Sequence, residues 1–168
     1  MIKEYGHCAC GTIKVLIELP ESLDKYSPRQ CDCDFCLKRN ISYLSHPAGS
    51  LIIENRLQLT EQRQGSNQAD FLTCNQCKMV VAVSINLATS LIEKTATSTT
   101  NNITSSKAKH TPVILPTGSK KLLLGALNSN LLTNSKQLKP VTIVSPKLLG
   151  DKEKLVRWRA NWLPITMS

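Results

Sequence analysis

All seven cysteines of this chain fall in three tight clusters: Cys8-Ala9-Cys10, Cys31-Asp32-Cys33-Asp34-Phe35-Cys36 and Cys74-Asn75-Gln76-Cys77. Isolated cysteines are ordinarily buried apolar residues, and a disulfide framework spreads its members along the chain. Thiols one or two residues apart instead suit convergence on a metal. Four thiolates close a tetrahedral shell, whereas three leave a position open for chemistry. The odd count disfavours complete disulfide pairing, and a reducing, cytoplasmic setting keeps such thiols available to metal.

Which clusters meet follows from reach. A tetrahedral zinc with bonds near 2.3 Å puts its sulfurs about 3.8 Å apart. Residues i and i+2 of a strand are separated by about 6.5–7 Å, so Cys8 and Cys10 chelate together only if the chain bends, which Gly11 permits. Cys74-x-x-Cys77 is a turn-borne pair. Cys8, Cys10, Cys74 and Cys77 then form a structural zinc site, and Cys31, Cys33 and Cys36 form an open one. The rival assignment draws Cys31 and Cys33, or Cys33 and Cys36, into the closed site with Cys74 and Cys77, leaving the other cysteines idle. Three thiolates on Zn²⁺ carry net charge −1, which makes a poor Lewis acid that is hospitable to another thiol. Coordination would hold that thiol deprotonated.

At 168 residues with only 4% aromatics, the chain reads as one domain whose core is built from Leu, Ile and Val. Residues 12–19 place Ile13, Val15, Ile17 and Leu19 on one face, as a strand does. Residues 51–59, 79–85, 121–127 and 141–144 are further strand candidates. Pro140 and Pro146 make the last one short or an edge strand. One helix is expected, with Asp151 as its N-cap, Glu153 in the first turn, and Pro164 stopping it. Its Leu155, Trp158 and Trp162 share a face, which favours packing on the sheet over stacking on nucleobases. Residues 95–112 are polar and read as a surface loop. No apolar run reaches the roughly 18 residues of a membrane span, and the start does not read as a signal peptide.

The charge of +9 is uneven. Residues 1–90 balance nine Lys/Arg against nine Asp/Glu, while residues 91–168 carry twelve against three. The spread of these lysines favours an ordinary solvated surface. The alternative is a surface for an anion, either a small carboxylate or nucleic acid. His7 should point away from the thiols of its strand. His46, in a loop before Pro47, could approach the open zinc as ligand or proton shuttle but reads more simply as a loop residue. His110 has no assigned role.

Gly6-His7-Cys8-Ala9-Cys10-Gly11-Thr12-Ile13 resembles the G-x-C-x-C-G-x-V opening of the glutathione-dependent formaldehyde-activating enzyme and centromere protein V family. Cys31 to Lys38 is similar to that family's C-x-C-x-x-C-R-K, and Phe71 to Cys77 to its F-C-x-x-C-G. The match spans residues 6–77. The chain departs from the pattern at Leu37, where the family has Arg, and at Ile41 and Lys78, where it has Gly. Lys38 and Arg39 stand ready to replace the missing Arg.

The resemblance implies a mainly β fold of zinc-linked antiparallel sheets, β-tent-like, here with a short C-terminal helix. It also implies a structural zinc on Cys8, Cys10, Cys74 and Cys77, and a labile catalytic zinc on Cys31, Cys33 and Cys36. The implied activity is a carbon–sulfur lyase reaction, joining formaldehyde to a small thiol such as glutathione as S-hydroxymethylglutathione. The alternative is a non-catalytic zinc module that engages an anionic partner such as nucleic acid through the basic second half. That partner is the less favoured.

Overall fold

The structure is a computed structural model and describes residues 1–87 and 122–168. The expected polar loop at 95–112, His110 and Lys121 lie outside the described residues. The described part is mainly β. The alternation at 12–19 forms β2 (Lys14–Leu19), with Val15, Ile17 and Leu19 buried. It pairs antiparallel with β1 (Ile2–His7). The 51–59 segment divides: β5 is Ser50–Ile53, a 3-10 turn covers Arg56–Gln58, and β6 (Leu59–Arg63) follows. Leu57, within the expected strand, is 91% exposed in that turn. β7 (Asp70–Cys74), β8 (Val80–Asn86) and β9 (Leu123–Asn128) complete an antiparallel meander with β6.

The sheet forks at β9. Its first residues, Leu123–Gly125, pair with β11 (Leu163–Met167), whereas Leu127 and Asn128 pair with β4 (Tyr43–Leu44). One branch continues from β11 through β5 and β2 to β1. The other passes from β4 to β3 (Arg29–Cys31) and ends on β10 (Thr142–Val144), the short edge strand expected there. Gly125 sits at the fork because a Cβ there would lie 2.2 Å from the Val83 carbonyl oxygen and 2.4 Å from Ile165 Cδ1. Two pairings, β11 with β5 and β10 with β3, are parallel, so the sheet is mixed rather than wholly antiparallel. Both join segments far apart in sequence, which no local turn signal announces.

Along β9, Leu123 and Leu127 face an aliphatic core with Ile13, Ile17, Leu51, Leu72 and Leu163. Each fully buried Leu or Ile stabilises by about 1.5–3 kcal/mol. Leu124 and Ala126 face the opposite way, into a cluster with Val83 and Ile85 that is covered by partly buried aromatic rings. The C-terminal helix packs on this second face through Leu155, Trp158 and Trp162. Besides a short α1 (Asp34–Lys38), this is the second α-helix described, α2 (Asp151–Asn161). Its cap is Gly150, whose N–H donates to Glu153 Oε2 at 2.7 Å; Asp151, the expected cap, is instead the first helical residue. Pro164 lies in β11, just beyond the helix end.

Candidate metal centres

Cys8 and Cys10 follow β1, and Cys74 ends β7. Each pair sits in the same kind of turn. The Cys8 N–H donates to the Ile13 carbonyl and the Cys74 N–H to the Met79 carbonyl, both at 3.0 Å. Each turn needs one left-handed residue: Gly11 at φ 76° in the first and Lys78 at φ 61° in the second. Gly11 supplies the expected bend. Lys78 adopts the conformation for which glycine is suited. The Thr12 hydroxyl donates to Gln76 Oε1 at 2.5 Å, tying the turns together.

The two turns bring four sulfurs to one point. Cys8 Sγ lies 3.5 Å from Cys10 Sγ and 3.7 Å from Cys74 Sγ, and Cys10 Sγ lies 3.7 Å from Cys74 Sγ. All four ligand atoms, including that of Cys77, are within 4.8 Å of one another. These spacings fit a tetrahedral thiolate shell, in which sulfurs sit about 3.8 Å apart. The Ile13 N–H donates to Cys8 Sγ at 3.3 Å, a contact that favours thiolate. Burial pushes the free Cys8 thiol up to about 11, while the hydroxyl and N–H of Thr12 draw Cys10 down to about 6. A cation here would replace the protons of four crowded thiols. Cys8 and Cys74 belong to the aliphatic core, so the site closes one end of it.

Cys31, Cys33 and Cys36 come from the end of β3, the residue that caps α1, and α1 itself. Their sulfurs also lie within 4.8 Å of one another. Both groups could hold a metal ion, and Cys74 and Cys77 are brought together with Cys8 and Cys10 rather than with the middle cluster. Cys31 is drawn down to about 6, chiefly by the neighbouring Cys36 thiol; Cys36 is held far above the usual thiol range by Cys31 and by burial.

The trio forms part of the wall of a cavity of about 610 Å³. Asp32, between two of the cysteines, accepts from the Ser145 hydroxyl at 2.7 Å and pairs with Lys147 at 3.0 Å. Its Oδ1 is buried with no hydrogen-bond partner among the described residues. Tyr43 also lines the cavity, with its hydroxyl 3.7 Å from Cys36 Sγ. Burial holds that phenol above the usual tyrosine range, so it stays protonated.

Other expectations resolve differently. His46 does not reach the trio: its ring meets Tyr26 edge-on at 6.0 Å, and its Nδ1 accepts from the Ala48 N–H at 3.2 Å. His7 bonds through Nδ1 to the Cys8 carbonyl oxygen, outside both sulfur groups. Arg39 does not stand in for the missing Arg at Leu37. Its guanidinium lies over the Phe35 ring, 4.1 Å from the centroid, and neither it nor Lys38 lines the cavity. The cavity's cations are Arg29, Lys147, Lys154 and Arg157. Sequence reasoning missed them and Tyr43. The only signal was the basic excess of the second half, which does not say where the cations converge.

No protein-family model matches the chain, and no curated protein does. Among solved structures, the chain is similar to a Rhodobacter sphaeroides protein determined as a structural-genomics target. The identity is 17%, covering 83% of this chain and 99% of that one, with a TM-score of 0.49. Among the described residues no helix is long and apolar enough to cross a membrane.

Proposed function

We propose that the protein is a zinc-dependent carbon–sulfur lyase acting on the thiol adduct of a small aldehyde, with a structural zinc on Cys8, Cys10, Cys74 and Cys77 and a reactive one on Cys31, Cys33 and Cys36. One observation carries the reading. The three-sulfur group opens into a cavity of about 610 Å³, while the four-sulfur group plugs the end of the core. Four cysteines complete a zinc shell by themselves; three do not.

When bound to the trio, zinc supplies a soft acceptor that holds a substrate thiol as thiolate at neutral pH. The protein's own groups do the rest. The cations of the wall attract a carboxylate-bearing thiol. Tyr43, neutral and half-buried, offers a hydrogen bond to the Cys36 sulfur and fixes its position. In the synthetic direction the thiolate sulfur bonds to the aldehyde carbon, and the carbonyl oxygen takes up a proton. No electrons are exchanged with a second reactant.

The test is exchange NMR with ¹³C-formaldehyde and glutathione, read against metal content. The protein should accelerate exchange between free formaldehyde and the hemithioacetal. Cys36→Ser should abolish the acceleration while releasing about one of two zinc ions. Unchanged exchange rates in the presence of fully zinc-loaded protein would refute the lyase reading. The alternative, a zinc module that binds nucleic acid, gains less support, because Lys154 and Arg157 line a cavity rather than an open face.

A further inference from the structure

The chain has seven aromatic residues, and five of them line this one cavity: Phe35, Tyr43, Phe71, Trp158 and Trp162. None of the five belongs to the buried aliphatic core. Trp158 and Trp162 stack on each other with centroids 4.8 Å apart and planes 13° from parallel. Phe35 and Phe71 meet at 4.8 Å on a tilt. A chain so poor in aromatic rings has gathered most of them around one space, where four of the five also pack on the smaller core cluster.

The helix that forms one wall is unusual in a second way. Lys154, Arg157, Trp158, Asn161 and Trp162 all line the cavity. Their spacing of i, i+3, i+4, i+7 and i+8 defines one helix face, and that position is ordinarily apolar when a helix packs on a sheet. Here two of the five are cations. The Lys154 side chain is only 12% exposed, and its ion pair is long, 3.9 Å to the exposed Asp151. Arg157 is half-buried, and no acidic group pairs with it among the described residues. Asp32, across the cavity, is engaged by Lys147. Turning two cations inward into a cavity walled by five aromatic rings costs desolvation that packing alone does not require. An anionic ligand with a flat ring would offset that cost through charge-assisted hydrogen bonds at one end and stacking along its body.

We infer that the cavity is a binding site for an aromatic carboxylate, held by Lys154 and Arg157 at its charged end and by the Trp158–Trp162 pair and Phe71 along its ring. This deepens the lyase reading, on which it rests for the role of the trio: the preferred adduct at Cys31, Cys33 and Cys36 carries an aromatic acid body, and glutathione is a slower thiol whose exchange the protein still accelerates. The recognition itself uses only the helix wall and the rings, so it is measurable without turnover.

The probe is 2-naphthoate, followed by calorimetry and by intrinsic fluorescence. The chain's two tryptophans both line the cavity, so any quenching reports on this site. Saturable binding with quenching is expected. The saturated analogue decahydro-2-naphthoate should bind about two- to tenfold more weakly, for want of stacking. The neutral 2-naphthylmethanol, and 2-naphthoate with Arg157→Gln or Lys154→Gln, should each be weaker by roughly ten- to hundredfold. Those two positions lie on the helix surface toward the cavity, so the folded state survives their change and far-ultraviolet circular dichroism checks it. Absence of saturable quenching, or equal affinity for all three probes, would overturn the inference. Cys36→Ser separates it from the lyase reading. Naphthoate binding that persists in that variant supports the site, whatever becomes of turnover, whereas its loss from a folded Cys36→Ser protein would overturn the placement.

Discussion

Cys74→Ser and Cys36→Ser each remove one buried sulfur, yet they should differ greatly in what they do to the fold. Cys8 and Cys74 are 66 residues apart, and a metal on the four-sulfur group would link them. On the chain-entropy scaling for a cross-link, closing a loop of that length is worth about 4 kcal/mol against the unfolded chain. Cys74 is 0% exposed, so a serine hydroxyl left there without a partner costs about 1–3 kcal/mol more. The combined loss of roughly 5–7 kcal/mol is comparable to the whole stability of a domain, about 5–15 kcal/mol. In a chain of this size it lowers Tm by roughly 10–30 °C.

Cys36 is different on each count. The trio closes only the stretch Cys31–Cys36, already ordered by β3 and α1, and the Tyr43 hydroxyl 3.7 Å from Cys36 Sγ is a ready partner for a serine. Its loss should stay under about 2 kcal/mol, or about 8 °C. Differential scanning calorimetry without free metal in the buffer, alongside metal analysis by emission spectrometry, measures both quantities. The reasoning is refuted if the two variants lose the same Tm, or if Cys74→Ser melts within a few degrees of the parent.

Lys78→Gly relieves a side chain held at φ 61° in the Cys74–Met79 turn and should raise Tm by roughly 1–4 °C, with about 0.5–1 kcal/mol gained after the flexibility glycine adds to the unfolded chain; thermal melts that show a loss would contradict it. Gly125→Ala drives a methyl to 2.2 Å from the Val83 carbonyl oxygen, a backbone atom that would have to shift; a loss of about 1–3 kcal/mol is expected in denaturant titration, and a neutral outcome would mean the fork is looser than described. The Asp32 carboxyl is held below its ordinary value by the Ser145 hydroxyl and then by Lys147. A lowered folded pKa contributes stability that is present above the unfolded value near 3.9 and is lost as pH falls through the folded one. The Tm gap between the parent and Asp32→Asn should therefore be full at pH 6 and shrink below about pH 4; a gap constant from pH 6 to pH 2 would rule this coupling out.

The sulfur groups were legible before any fold was known, because ligand spacing within a cluster is a local property. A bend at Gly11 and a Cys-x-x-Cys turn are set by residues next to one another, and tetrahedral geometry limits which pairs can share a metal. The alternation that makes β2 and the capped run that makes α2 are local in the same sense. The cap lies one residue before Asp151, at Gly150, because the Glu153 carboxylate reaches back to accept from the Gly150 N–H.

What the sequence could not contain was the meeting of remote surfaces. Trp158 and Trp162 share a face with Leu155 and read as packing residues, and they do pack. Only the fork of the sheet at β9 leaves a space between that helix and the β3–α1 corner where Cys31, Cys33 and Cys36 lie. Lys154 and Arg157 look like any solvated basic run until the helix is laid down with them inward. Local periodicity fixes which residues share a face; what that face looks upon is settled by strand pairings across a hundred residues, and those pairings decide whether three thiols meet solvent, core or an aromatic-walled cavity.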